Sequence, residues 1–148
     1  MRLRSQRVLL LLAATTVACT APSAPSFVTA EFVLTDVDGR TLPTGSPPGT
    51  GTPGPTIVSG YMSMDQAGGA LISEDRIDPA GTRYNLTTPY TYTIKGTHIQ
   101  FAFVGSCFIA ICPTPPTGEI LDNGIHVHVV FSPAYTFQVY NFRTVPRT

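Results

Sequence analysis

The chain has 148 residues, of which 12% are charged and 43% are hydrophobic, and its formal net charge is zero. This balance excludes a chain that is disordered through charge, and the absence of a basic stripe argues against nucleic acid as a partner. The length is enough for one domain with a single core.

The N-terminal segment has the pattern of an export signal. Three arginines, Arg2, Arg4 and Arg7, precede an apolar run from Val8 to Ala18. A basic stretch before such a run is typical of a signal peptide, and the run is too short to remain as a membrane span. We therefore expect residues 1–18 to be removed on export. The remainder has six basic and nine acidic residues, a net charge of about −3.

A candidate lipidation site follows the apolar run. Thr16-Val17-Ala18-Cys19 resembles the bacterial lipobox, in which a small residue precedes a cysteine that is lipidated and becomes the new N-terminus. Thr16 stands where that motif usually has Leu, and an ordinary signal peptide cleaved near Ala18 is the alternative. The resemblance implies a lipid on Cys19, a tether over residues 19–26 and attachment to the membrane. Because Thr20 rather than Asp follows, it implies the outer membrane, facing the periplasm or the cell surface.

The next segments predict a strand and a long loop. Phe27 to Val37 favours a first strand, and Asp38-Gly39 favours a turn after it. Residues 43–56 contain five prolines among Gly, Ser and Thr, so neither a helix nor a central strand can form there. A recognition loop and a disordered insertion both fit this composition.

Three hairpins are predicted after the loop. The first has arms Ile57 to Asp65 and Ala70 to Ile77 on either side of Gly68-Gly69, and the other two have Lys95-Gly96 and Asn123-Gly124 as turns, each flanked by β-favouring runs. A turn at Lys95-Gly96 would place Tyr92 opposite Ile99 and Tyr90 opposite Phe101. A turn at Asn123-Gly124 would place Ile120 opposite Val127 and Glu119 opposite His128. We expect the charged residues 74–78, at the end of the first of these hairpins, to form a solvated strand end.

Cys107 and Cys112 lie between the second and third hairpins. After export they would be in an oxidising compartment, and they are the only pair within the predicted domain. We expect a disulfide, which for so short a loop contributes about 2 kcal/mol in the chain-entropy model.

These elements add up to an all-β protein. About eight strands follow one another with no amphipathic helix between them, so residues 27–148 predict one antiparallel up-and-down barrel domain, with a β-sandwich as the alternative. The order resembles that of small lipocalin-like lipoproteins of bacteria, through the lipobox, a first strand ending in Val37-Asp38-Gly39-Arg40-Thr41-Leu42-Pro43, the run Ser59-Gly60-Tyr61-Met62-Ser63-Met64 and a last strand ending at Arg143. Lipocalins also carry a Gly-x-Trp motif near the first strand, and this chain has no Trp.

No motif for acyl transfer, metalloprotease, phosphate-loop or dinucleotide chemistry is present, so we expect neither an enzyme nor a cofactor. One metal hypothesis exists. His126 and His128 are two apart on a predicted strand, and with His98 they provide ligands that zinc accepts. The alternation turns them away from the apolar face, so exposed histidines are the simpler interpretation and a zinc enzyme is the least favoured function.

The apolar face of the hairpins predicts the barrel interior. Inward-facing residues that could hold a small apolar ligand are Met62, Met64, Tyr90, Tyr92, Phe101 and Phe103. Eight strands leave room for side chains alone or for one small ligand. Two functions therefore remain open: a ligand-binding module with a modest cavity beneath the proline-rich loop, and a structural or interaction lipoprotein with a filled barrel.

The lipobox-like sequence gives a direct test. Mass spectrometry of the N-terminal peptide from the membrane fraction should show a diacylglyceryl adduct on Cys19, absent in Cys19→Ser. Each buried CH₂ contributes about 0.8 kcal/mol, so two or more acyl chains anchor the protein firmly. A soluble mature protein with unmodified Cys19 would contradict lipidation.

Overall fold

Nine β-strands make up nearly all the regular structure of the computed structural model, which describes residues 30–45, 54–105, 114–132 and 137–145. They are β1 (Ala30–Val37), β2 (Arg40–Thr41), β3 (Thr56–Met64), β4 (Gly69–Ile77), β5 (Arg83–Lys95), β6 (His98–Phe103), β7 (Thr117–Leu121), β8 (His126–Val130) and β9 (Val139–Thr144). The helical content of these ranges is a single 3₁₀ turn, Asp122–Gly124. None of the four ranges contains a helix long and apolar enough to cross a bilayer. The expected all-β class is confirmed.

The strands form a closed barrel. Their order is β2-β1-β3-β4-β5-β6-β7-β8-β9 with antiparallel neighbours, and β1 also pairs with β9, placing Val33 opposite Arg143 and Val37 opposite Tyr140. Eight strands therefore close on themselves, while β2 is a short extra strand beside β1. The predicted up-and-down barrel is confirmed against the sandwich, and it is compatible with a lipocalin-like barrel.

Strand direction gives the barrel two different ends. At one, called here the turn end, the short connections after β3, β5 and β7 lie together with the start of β1. At the other, called the loop end, β1, β4, β6 and β8 finish. The chain leaves and re-enters the described structure there around residues 46–53, 106–113 and 133–136. The signal peptide, the tether, Cys19, Cys107, Cys112 and the middle of loop 43–56 lie outside the described residues.

The β5–β6 and β7–β8 hairpins show how the turn residues determine which residues of two strands pair. Asn123 and Gly124 have φ of 56° and 93°, as a type I′ turn requires, and the predicted pairs Ile120–Val127 and Glu119–His128 are present. The predicted Lys95-Gly96 turn is wrong, because Lys95 pairs with His98 and the turn is Gly96-Thr97. With φ of 63°, Gly96 takes the first central position, the glycine position of a type II′ turn.

The correction moves the register by two residues, so every side chain keeps its face. Tyr92 is opposite Phe101 and Tyr90 is opposite Phe103. The predicted apolar face does line the interior: among its members Ile99, Phe101, Ile120, Val127 and Val129 are buried, and Tyr92, Ile94 and Phe103 pack partly buried against them.

Polar contacts hold the seam between β1 and β9 at the loop end. The Asp38 carboxylate oxygen Oδ1 accepts hydrogen bonds from the backbone N–H of Val139 at 2.8 Å and of Gln138 at 3.2 Å. The Asp38 N–H donates to the Val139 carbonyl at 2.7 Å. Further along the seam, Asn141 Nδ2 donates to Asp36 Oδ1 at 2.6 Å. Asp38 also has a φ of 51°, a left-handed conformation that Asp and Asn tolerate.

Replacing Asp38 therefore tests the seam. Asp38→Ala should lower the free energy of unfolding by about 2–3 kcal/mol, because two bonds to a carboxylate are lost and Ala is strained at this φ. Asp38→Asn keeps an acceptor and tolerates the conformation, so it should cost less than about 1 kcal/mol. Urea unfolding of both variants measures the difference. Equal losses would show that the carboxylate contacts do not stabilise closure.

Candidate functional site: a pocket at the loop end

A cavity of about 440 Å³ lies within the barrel near its loop end. It is lined by inward-facing residues of β4, β5, β6 and β9 and by two residues between β8 and β9: Ile72, Glu74, Arg76, Leu86, Thr88, Tyr90, Phe103, Phe131, Phe137 and Tyr140. We call it the loop-end pocket. Its volume falls in the range of small-molecule sites, about 300–1,000 Å³. The proline-rich segment departs from and returns to this same end.

The period of the strands places these side chains in the pocket. Residues two apart on a strand share a face, so Ala70, Ile72, Glu74 and Arg76 of β4 all point inward. Ala70 and Ile72 are buried in the apolar core. The two charged residues follow them toward the loop end, where the pocket replaces the filled core.

Aromatic rings form much of the pocket wall. Tyr90 and Phe103, opposite each other on β5 and β6, have ring centroids 5.2 Å apart, and Phe131 and Tyr140 have centroids 4.8 Å apart. Arg76 places its guanidinium carbon 5.9 Å from the centre of the Phe137 ring, within range of a cation–π contact. The pocket wall is thus largely aromatic and aliphatic, with one cationic group against it.

Glu74, Arg76 and Tyr140 form a polar cluster in this apolar wall. Arg76 Nε donates to Glu74 Oε2 at 2.7 Å, and the Tyr140 hydroxyl donates to the same oxygen at 3.1 Å. Arg76 Nη2 forms an ion pair with Glu74 and lies 3.4 Å from the Tyr140 hydroxyl oxygen. Glu74 is only 6% exposed and Tyr140 only 2%. The Arg76 side chain is 17% exposed, so both charges of the pair are held largely out of water.

The cluster fixes the charge of Arg76 and of Tyr140. Burial disfavours the charged form of Arg76, but the nearby Glu74 and hydrogen bonds to Glu74 and Tyr84 outweigh that effect, so the pKa of Arg76 is raised. Burial, followed by the negative charge of Glu74, raises the pKa of Tyr140 far above its ordinary value. Arg76 is thus a permanent cation and Tyr140 a permanent neutral donor, and the ion pair has no net charge.

The structure brings together only part of the predicted ligand set. Tyr90 and Phe103 line the loop-end pocket, whereas Met62, Met64 and Phe101 are fully buried in the filled part of the core. Tyr92 lies toward the turn end, where its hydroxyl donates to the Asp65 carbonyl at 2.6 Å. The six residues are therefore neighbours in one interior, but most of them lie outside the pocket.

The charged pair is what the sequence interpretation missed. Residues 74–78 were expected to form a solvated strand end, and this is wrong for the buried Glu74 and for the half-buried Arg76. A solvated position agrees better with Asp75, because its side chain faces outward. Hydrogen bonds from Asn85, Ser59 and Arg83 lower the pKa of Asp75. The available signal was the alternation in β4, which continues the inward positions of Ala70 and Ile72 through Glu74 and Arg76.

The three histidines lie outside the barrel interior. His98 is opposite Glu119, and Glu119 is opposite His128, so these residues neighbour one another on three adjacent strands. His128 Nδ1 is 2.7 Å from Asn141 Oδ1, and His126 Nδ1 is 2.7 Å from Asp122 Oδ2. In the part of the chain that the structure describes, no three His, Cys, Asp or Glu side chains are placed to hold a metal ion. The zinc hypothesis gains no support from this arrangement.

Comparisons of the chain with protein-family models, with curated proteins and with solved structures each returned no match. The class of protein is therefore defined by its fold and its site: a closed eight-stranded antiparallel barrel with a filled turn end and a pocket at the loop end.

Removing one partner of the buried pair tests its geometry. Arg76→Met should lower the free energy of unfolding by about 3 kcal/mol, because it leaves the Glu74 carboxylate buried without its cation. The double variant Glu74→Leu/Arg76→Met should regain most of this loss, since both charges are replaced by apolar groups of similar size.

Arg83→Met is the matched control for that measurement. Arg83 pairs with Asp75 on the outer face, where its side chain is 64% exposed, so its loss should change stability by less than about 1 kcal/mol. Urea unfolding of all three variants gives the comparison. A double variant as unstable as Arg76→Met would contradict a coupled, buried pair.

Proposed function

We propose that this protein is an exported, lipid-anchored envelope protein whose barrel binds one small, mainly apolar ligand in the loop-end pocket. The observation that carries the proposal is the 440 Å³ space left inside an otherwise filled barrel. An eight-stranded barrel has room for its own side chains or for one small ligand. Here side chains fill the turn end, and the loop end has space for a ligand.

The lining of the pocket supports binding of a small molecule. Such sites are mostly apolar and aromatic, with a few polar groups that orient the ligand. The loop-end pocket has this composition, because the Glu74–Arg76–Tyr140 cluster is set among apolar side chains such as Ile72, Leu86 and Phe103. A barrel that served only as a rigid support would be better stabilised by apolar side chains filling that volume.

The N-terminal sequence supports the anchor and the location in the envelope. An apolar run after three arginines, ending at Cys19, is the basis for export and lipidation. Strand β1 begins at the turn end, so Ala30, the first residue that the structure describes, lies at the end of the barrel opposite the pocket. Residues 20–29 can extend over at most about 35 Å. A lipid on Cys19 would hold the barrel close to a membrane and leave the pocket accessible.

Binding of Nile red, a neutral dye whose emission reports an apolar environment, tests the proposal. The wild type should bind one dye per chain. Leu86→Trp should weaken binding at least about tenfold, because the larger side chain occupies the pocket (tenfold corresponds to about 1.4 kcal/mol).

Val33→Trp is the matched control, because Val33 and Leu86 are strand residues with nearly the same exposure, 40% and 41%, but Val33 does not line the pocket. It should bind the dye like the wild type, and circular dichroism should show that both variants are folded. Equal weakening by both substitutions would place the dye elsewhere. A folded wild type that binds no dye would end the ligand-binding proposal in favour of an interaction lipoprotein.

A further inference from the structure

The polar cluster in the loop-end pocket has hydrogen-bonding groups that its internal contacts do not use. Its internal contacts use Nε and Nη2 of Arg76, the Tyr140 hydroxyl and one carboxylate oxygen of Glu74, Oε2. Arg76 also hydrogen-bonds Tyr84, so these contacts engage at most four of its five N–H groups, and they leave Oε1 of Glu74 unused. Both residues line the pocket, so it offers a ligand a strong donor and a strong acceptor.

The charge of the cluster selects against ions. A ligand with a negative head would be attracted by Arg76 and repelled by Glu74, and a positive head would meet the reverse. Either ion would also lose its hydration on entering an apolar pocket, and a balanced pair offers no net charge in return. A neutral head loses much less hydration, and it gains charge-assisted hydrogen bonds if it can both donate and accept.

The rest of the lining sets the character of the remainder of the ligand. Apart from Thr88 and the polar cluster, the wall consists of aliphatic and aromatic side chains, including Ile72, Leu86, Phe103 and Phe131. A head group held at Arg76 and Glu74 would therefore leave the rest of the molecule against apolar surface. A molecule that fits both parts is amphipathic.

We infer that the ligand is a neutral amphiphile, whose hydroxyl or carboxamide head donates to the Glu74 carboxylate and accepts from the Arg76 guanidinium while its apolar part lies along the aromatic wall. This inference rests on the proposed function and narrows it to a class of compound. Fatty alcohols, monoglycerides and fatty amides belong to that class; free fatty acids and alkylamines, charged at neutral pH, do not.

Displacement of Nile red by three unbranched compounds with the same number of carbon atoms tests the inference: 1-decanol, decanoate and decylamine, at pH 7 and below their aggregation limits. Decanol should displace the dye at a concentration at least about tenfold lower than either ion, the factor expected for one additional charge-assisted hydrogen bond. The alkyl chain of decanoate is one CH₂ shorter than the other two, which accounts for about 0.8 kcal/mol or roughly fourfold, so a difference of tenfold or more still requires a contribution from the head group.

Variants then assign this preference to the cluster. Glu74→Gln removes the negative member and should make decanoate the strongest competitor, since Arg76 then faces the pocket uncompensated. Glu74→Leu/Arg76→Met removes the charge-assisted hydrogen bonds to the neutral head, so decanol should displace the dye only at a concentration at least about tenfold higher than it needs with the wild type. Arg83→Met, which breaks an ion pair on the outer face, should keep the wild-type order.

The outcomes separate the inference from the proposed function. Dye binding with decanoate or decylamine as the better competitor would overturn the neutral head group and leave the apolar pocket intact. A double variant from which decanol displaces the dye as readily as it does from the wild type would also overturn it. If Glu74→Gln does not fold, the comparison of the wild type with the double variant decides. A wild type that binds neither the dye nor any decyl compound would overturn the proposed function itself.

Discussion

The pairing of β1 with β9 is the constraint on which the pocket depends. It runs from Phe32 opposite Thr144 to Val37 opposite Tyr140, and it turns a sheet with two edges into a barrel with an inside. Closure brings the last strand around to β4. As a result, the Tyr140 hydroxyl reaches Glu74 across 66 residues of sequence. Without the seam, the Glu74–Arg76 pair would face water and the apolar wall would have no opposite side.

Closure also buries the Glu74–Arg76 ion pair, and the free-energy cost of that burial bears on its role. Taking two charges out of water costs several kcal/mol each before their attraction returns part of it, and apolar side chains in the same volume are often as stable or more so. A barrel filled by apolar side chains would fold without that cost in free energy. The pair lies at the boundary between the packed core and the pocket, which both residues line. The proposed ligand would meet it there.

Much of the fold could be predicted because the decisive signals are local. The inward positions of Ile120, Val127 and Val129 follow from a period of two, and the Asn123-Gly124 turn follows from residues that accept positive φ. Local signals do not determine the structure where the same residues fit two local backbone conformations. Gly96 could take either central position of a hairpin turn, and the bulge between Ile57 and Ser59 turns Ile57 inward where strict alternation back from Met62 would place Val58 there.

The pocket was less predictable, because it depends on distances across the barrel. Phe101 and Phe103 look alike in the sequence, yet Phe101 is fully buried in the core and Phe103 lines the pocket, since only the opposite strands decide where filling stops. The burial of Glu74 also depends on residues across the barrel. Next to Asp75 and Arg76 it resembles a solvated residue, and its burial makes sense only with Tyr140 on the last strand. Alternation could place Glu74 inside, but only the closed barrel supplies the hydroxyl that lets it remain there.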